Sequence, residues 1–274
     1  MLDCELELDR SRWLDPMQRG SLIHEIFCDF MTAVSGKGEK ADAARHAPLM
    51  ATTGDAIILK WKELIPPPSA GIFEKERKDI FEALSIFLRV EAGRDAGDRP
   101  LLFEKRFSGV EIGLAGGKSF VLRGTIDRID WTGPGAYRIL DYKTGSYRPY
   151  EGFRSFGKGR VIQHALYALA AEQILKREKR DVNPRVVESG YYFPTRRGEG
   201  REITIGEFDR EAFRMLLGAI LDLVAKGRFV TGPDADCDFC DFAPICGGSP
   251  AEAKRKVKAN PEIFDALDRL KRYD

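Results

Sequence analysis

Gly124-Thr125-Ile126-Asp127-Arg128-Ile129-Asp130 and, beyond a turn, Arg138-Ile139-Leu140-Asp141-Tyr142-Lys143-Thr144-Gly145 are the most informative stretch of this 274-residue chain. Both flanks are rich in Ile, Leu, Tyr and Trp, and Thr132-Gly133-Pro134-Gly135 between them is a turn signal, so the pair predicts a β-hairpin. A hairpin closing symmetrically about Pro134 sets Asp127 directly across from Asp141. Opposed side chains sit about 4.5–5.5 Å apart at Cβ, where two like charges repel. A hairpin built only for stability gains nothing from that pair. A divalent cation between the carboxylates turns the repulsion into ligation, because hard cations such as Mg²⁺ bind carboxylate oxygen. Strand alternation then puts Lys143 on the face of Asp141. Acid, acid and lysine on one face make a site for metal-assisted hydrolysis.

Around this hairpin, bulk composition narrows the partners. Forty-four Lys and Arg against 43 Asp and Glu leave a formal charge of +1, so the field of the whole molecule does not draw in a polyanion and any nucleic-acid contact must be local. Between Lys143 and Arg201, thirteen basic residues stand against six acidic ones. Lys176-Arg177-Glu178-Lys179-Arg180 reads as a solvated helix face. Arg148, Arg154, Lys158 and Arg160 are set among Tyr147, Tyr150, Phe153 and Phe156, a pattern that favours phosphate contact. No apolar run approaches the roughly 18 residues of a membrane helix, and Met1-Leu2-Asp3-Cys4-Glu5 lacks a basic region followed by an apolar one, so a soluble, cytoplasmic protein is expected. Of five cysteines, Cys237, Cys240 and Cys246 are bunched, which points to metal ligation in a reducing compartment.

The remaining elements follow from local signals. Asp15-Pro16 opens a helix reaching about Val34, with Asp as cap and Pro in the first turn. Residues 35–100 predict a helical insertion, broken by Ile65-Pro66-Pro67-Pro68 and carrying Ile80, Phe81, Leu84, Phe87 and Leu88 at helical spacing. Strands are expected over Leu101 to Phe107, Ser119 onward into the hairpin, and Val186 to Pro194, with helices from about Gly159 to Lys176 and from Asp209 to Lys226. A cysteine loop and a short basic helix close the chain over 230–274. The expectation is one α/β domain spanning 1–274, a central mixed β-sheet flanked by helices.

The order His24, Glu104, Asp127, Asp141-Tyr142-Lys143, Gln163 and Tyr167 resembles the PD-(D/E)XK nuclease superfamily, whose fold is restriction-endonuclease-like. More narrowly it resembles the nuclease domains of bacterial recombination helicase–nucleases of the AddB and RecB type. Arg19-Gly20-Ser21-Leu22-Ile23-His24-Glu25 looks like that family's histidine helix, Gly124 to Asp130 like its first acidic motif, and Asp141-Tyr142-Lys143-Thr144-Gly145 like its second. Gln163 with Tyr167 matches the Q-x-x-x-Y motif of RecB-like members, and Cys237-x2-Cys240-x5-Cys246 resembles the C-terminal part of an iron–sulfur staple. Members with this staple supply a fourth cysteine upstream of the histidine helix. Here the sequence begins just past that point, as though cut from a longer chain; Cys4 lacks the following proline and Cys28 reads as a small core residue. The trio therefore holds a 4Fe–4S cluster completed from elsewhere, zinc, or nothing.

What the resemblance implies is a metal-dependent deoxyribonuclease, the exonuclease domain of a helicase–nuclease involved in DNA repair and recombination, in company with a helicase subunit or with the rest of a longer chain. It makes His24, Asp127 and Asp141 ligands of Mg²⁺ or Mn²⁺, Glu104 a further metal or water ligand, and Lys143 the group that orients or helps deprotonate the attacking water. Gln163 and Tyr167, one turn apart, would hydrogen-bond the site carboxylates or a scissile-strand phosphate. Two other readings share the residues: a non-catalytic module that binds DNA or docks a partner, and a stand-alone exonuclease of the CRISPR-adaptation kind. His46 and His164 carry no assignment.

Overall fold

The computed structural model describes residues 11–95, 97–152, 155–228 and 250–273. Its centre is a five-stranded sheet in the order β1-β2-β3-β4-β5. The strands are β1 (Arg99–Gly113), β2 (Ser119–Gly133), β3 (Ala136–Tyr142), β4 (Arg185–Phe193) and β5 (Arg201–Ile205). All neighbours are antiparallel except β3 and β4, which are parallel. A parallel pair needs a crossover, supplied here by helix α4 (Gln163–Arg177). The sheet is therefore mixed, as expected, although β5 is a strand not anticipated from local signals.

Three helices precede the sheet. Helix α1 (Pro16–Gly36) starts on Asp15, whose carboxylate accepts from the Gln18 amide while the Gln18 side chain returns to the Asp15 backbone in a capping box. Helices α2 (Ala43–Leu64) and α3 (Ala70–Ala92) are capped by Asp42 and Ser69, and the prolines after Ile65 separate them. The α2–α3 crossing is close at Gly54, where a Cβ would come within 2.7 Å of the Leu84 side chain. After the sheet come α5 (Arg210–Ala225), α6 (Pro250–Lys258) and α7 (Pro261–Leu270). Among the described residues no helix is long and apolar enough to cross a membrane.

Two apolar cores lie against the sheet. One joins α1–α3 to Leu140, Tyr142 and Tyr192, with Phe27 and Phe87 stacked at 3.8 Å between ring centroids. The other joins α4 and α5 to Ile129, Ile139, Tyr137 and Val186. Alternation along β3 sends Leu140 to one core and Ile139 to the other, which is why two apolar residues stand side by side at its centre.

Within the first core sits a charge network. Arg128 is fully buried, with Nη1 2.7 Å from Glu91 Oε1 of α3 and Nε donating to Asp130 Oδ1 at 2.6 Å. Arg138 of β3 donates to the other Asp130 oxygen at 3.0 Å and pairs with Asp98 at 2.7 Å. Arg94 pairs with Glu91 at 2.8 Å and with Glu202 of β5. These contacts clamp the end of α3 to β2, β3 and β5. Removing one partner of a buried pair strands the other charge, so Glu91→Ala should destabilise the fold by about 3–5 kcal/mol in urea unfolding. A loss below about 1 kcal/mol would mean that water reaches Arg128.

Candidate active site

The β2–β3 ladder pairs Arg128 with Leu140, Ile129 with Ile139, Asp130 with Arg138 and Trp131 with Tyr137, the register that closes symmetrically about residue 134. One step further along the same register lies Asp127 opposite Asp141. On the other side, β1 pairs Phe103 with Arg128 and Lys105 with Ile126, which brackets Glu104 against Asp127. Three carboxylates thus cross three adjacent strands in one row. The row falls where β3 stops while β1 and β2 continue as a two-stranded arm.

Backbone geometry marks the same spot. Glu104 has φ 43°, a left-handed conformation inside a strand, which costs free energy and interrupts the ladder. The carboxylate it presents meets His24 of α1, with Glu104 Oε1 3.2 Å from Nδ1. Asp127 Oδ2 lies 3.6 Å from the same nitrogen and also accepts the Tyr142 amide hydrogen at 2.8 Å. The second imidazole nitrogen, Nε2, is 3.2 Å from the Tyr142 carbonyl oxygen, which can only accept, so Nε2 carries a hydrogen. That bond aims Nδ1 at the carboxylates.

A second chain of contacts enters from α4. Lys143 Nζ lies 2.7 Å from Asp141 Oδ2 and donates to Gln163 Oε1 at 3.1 Å. The Gln163 amide in turn donates to the Tyr167 hydroxyl at 3.2 Å. Gln163 and Tyr167 share a helix face as their spacing requires, but Gln163 holds the lysine, not a carboxylate. Helix α4 begins at Gln163 itself, four residues later than the sequence pattern places it.

One ligand atom each from His24, Glu104 and Asp127 lie within 4.8 Å of one another, a spacing that can hold a cation. Asp141 stands outside this tight set and faces Lys143, whereas Glu104 falls inside it. Oxygen and imidazole donors with unbalanced negative charge fit a divalent ion. Burial and then the neighbouring Asp141 charge push the Asp127 carboxyl up to about 7. Burial raises Asp141 as well, against the pull of Lys143. For His24, burial acts to lower the pKa but is outweighed by the Glu104 hydrogen bond and the acidic charges, leaving it raised. Lys143 is likewise raised by Asp141 despite its burial, so it is a cation at neutral pH.

The predicted phosphate-contact residues lie in the segment between β3 and α4. Arg148 is exposed in a short 3₁₀ turn (Arg148–Tyr150) that follows Lys143, Lys158 is exposed with φ 59°, and Arg160 is exposed two residues on. Arg154 and the cysteines Cys237, Cys240 and Cys246 lie outside the described residues. Sequence reading missed the Tyr142 peptide, which touches Asp127 through its N–H and His24 through its carbonyl; its place between Asp141 and Lys143 was the available signal. It also missed the Tyr191 ring, 5.5 Å from Lys143 Nζ.

Acids gathered at the broken end of a central strand, with a lysine two residues on, are the layout of a metal-dependent nuclease. The chain belongs to the PD-(D/E)XK nuclease superfamily, whose family model matches residues 1–247. Nucleases of this superfamily use divalent metal ions. A search of curated proteins gives no match.

The shifts of His24 and Asp127 act in one direction on stability. Folded His24 holds its proton more tightly than the ordinary value of 6.5, a stabilisation complete below that value and lost as pH rises through the folded pKa. Folded Asp127 keeps a proton that the unfolded chain releases near 3.8, so a penalty accumulates from there up to about 7. In cation-free buffer the melting temperature should fall by about 5 °C between about pH 5 and pH 8. Asp127→Asn should flatten the profile, and a wild-type melting temperature that rises over this range would refute the electrostatic assignment.

Proposed function

We propose that this protein hydrolyses DNA phosphodiester bonds with Mg²⁺ or Mn²⁺, His24, Glu104 and Asp127 holding the cation and Asp141 with Lys143 completing the site. The observation that carries the reading is the meeting of the two contact chains. A cation-sized cluster of donors on one side adjoins a lysine held by a carboxylate and an amide on the other. Bound in that cluster, a divalent cation supplies Lewis acidity to the phosphate and eases formation of a hydroxide nucleophile.

The side chains divide the remaining work. Lys143, kept charged by Asp141, orients the attacking water and offsets negative charge growing on the phosphoryl oxygens. Its raised pKa favours this electrostatic role over that of a base. Gln163, itself held by Tyr167, keeps Nζ from swinging into solvent. The Nε2–H bond to the Tyr142 carbonyl presents the Nδ1 lone pair of His24. Arg148, Lys158 and Arg160, with Arg154 read from sequence, contact the strand through its phosphates.

The order of motifs further supports a setting like that of the AddB- and RecB-type domains, in which a helicase delivers the strand. Cys237, Cys240 and Cys246 would hold an iron–sulfur cluster, zinc or nothing, three outcomes that an absorption spectrum and metal analysis of the purified protein separate. Lys143→Ala should lower the cleavage rate of labelled DNA roughly a hundredfold or more while leaving DNA affinity within a few-fold. Asp141→Ala should do the same. Cleavage at the wild-type rate in either variant, or wild-type cleavage that persists in excess chelator, would overturn the proposal.

A further inference from the structure

At the end of β4 the chain turns sharply through Thr195-Arg196-Arg197-Gly198 and returns to β5. Three interactions make the turn rigid. The Gly198 amide donates to the Thr195 carbonyl at 3.0 Å and to Thr195 Oγ1 at 3.2 Å, and the Gly200 amide donates to the Phe193 carbonyl at 3.0 Å. Gly198 presses onto the strand so closely that a Cβ there would lie 2.3 Å from Phe193 Cβ and 2.5 Å from the Phe193 carbonyl oxygen, leaving no room for a side chain. Thr195 is buried and its hydroxyl donates to the carbonyl oxygen of Thr144 at 3.2 Å. Thr144 follows Lys143, whose amide donates to Tyr192 at 2.8 Å, so the turn rides on the strand end that carries the site lysine.

The two arginines at its tip point outward. Arg196 keeps 83% of its side chain exposed, with a single loose approach of 4.0 Å to Glu82. Arg197 is exposed and has no ion-pair or hydrogen-bond partner among the described residues. Other arginines of the chain, among them Arg77, Arg94, Arg128, Arg138, Arg185 and Arg210, are by contrast engaged by carboxylates. The acids nearest in sequence are already occupied. Arg201 holds Glu151 and Glu199, each at 3.3 Å, and lays its guanidinium 4.2 Å from the centroid of the Tyr147 ring. Arg201 thereby draws both carboxylates to itself and away from the two arginines at the tip.

Resting on the nuclease reading above, we propose that the Arg196–Arg197 turn is a second phosphate clamp, gripping the backbone of the substrate strand a few nucleotides from the scissile bond. The β3 and β4 ends point the same way because the strands are parallel, so the tip stands beside the site on the side away from β2. Guanidinium groups suit phosphate oxygen through paired N–H donors. A turn with fixed backbone presents them at less entropic cost than a flexible loop would.

The test measures binding of a labelled single-stranded DNA oligonucleotide by fluorescence anisotropy across a salt series, alongside metal-dependent cleavage. The double variant Arg196→Ala/Arg197→Ala should raise Kd about tenfold near 0.1 M salt and flatten the slope of log affinity against log salt by about 1.4, the release of two counterions. Arg196→Lys/Arg197→Lys should recover most of that slope, which a merely structural role for the turn would not explain. The control Lys118→Ala/Arg214→Ala, removing two exposed charges at the far tip of the β1–β2 hairpin and on α5, should leave the slope unchanged. An alanine variant with wild-type affinity and slope, in a protein that cleaves DNA, overturns the clamp and spares the nuclease. Binding that depends on the two arginines without any cleavage overturns the nuclease and spares the clamp, and wild-type protein that neither binds nor cleaves overturns both.

Discussion

An arginine without access to water, Arg128, sets the terms for this fold. Desolvating a guanidinium is tolerable only where carboxylates and good hydrogen-bond geometry replace the lost hydration. Asp130 accepts a hydrogen bond from Nε and Glu91 lies 2.7 Å from Nη1 as a counter-charge, and both acids are fixed in turn by Arg94 and Arg138. The end of α3 can therefore leave the sheet only by exposing several buried charges together. Since Arg128 is joined to Asp127 by a peptide bond, the same clamp fixes the backbone from which the site carboxylate projects. Two centres of charge with opposite purposes occupy consecutive residues of β2.

Those centres differ in how their charges balance. Around Arg128, acids and bases alternate and each group finds an opposite. At the site, Glu104, Asp127 and Asp141 face only His24 and Lys143, and the lysine is committed to Asp141. Burial first, and for Asp127 the neighbouring Asp141 charge next, raise the carboxyl pKa values. Such a cluster is unfavourable in itself and persists because the surrounding cores hold it. Its negative excess is what would give a divalent cation binding free energy there.

The sequence was legible where local rules and symmetry agree. The spacing of Asp127 and Asp141 about Pro134 foretold the ladder register, Asp15 and Pro16 the start of α1, and the Asp141-x-Lys143 alternation the shared face on which the two now stand 2.7 Å apart. It was opaque where long-range packing decides. An Arg within a strand ordinarily reads as a solvent-facing residue, so the burial of Arg128 had no local mark. Nothing in Leu102 to Arg106 announces a positive φ at Glu104, and Arg201-Glu-Ile-Thr-Ile is too short and polar a run to stand out as β5. The partner of Gln163 likewise depended on how α4 docks, which its own residues do not specify.

The parallel β3–α4–β4 crossover has a consequence for the life of the chain before it is complete. His24 meets Glu104 across 80 residues and Tyr142 across 118, while Lys143 gains its second anchor only after the crossover helix has been made and docked. Contacts of such wide sequence separation form late, because loop closure must be overcome before they are rewarded. A nascent or half-folded copy therefore carries all the reactive side chains and no working arrangement of them. The topology assembles the site only on completion of the fold.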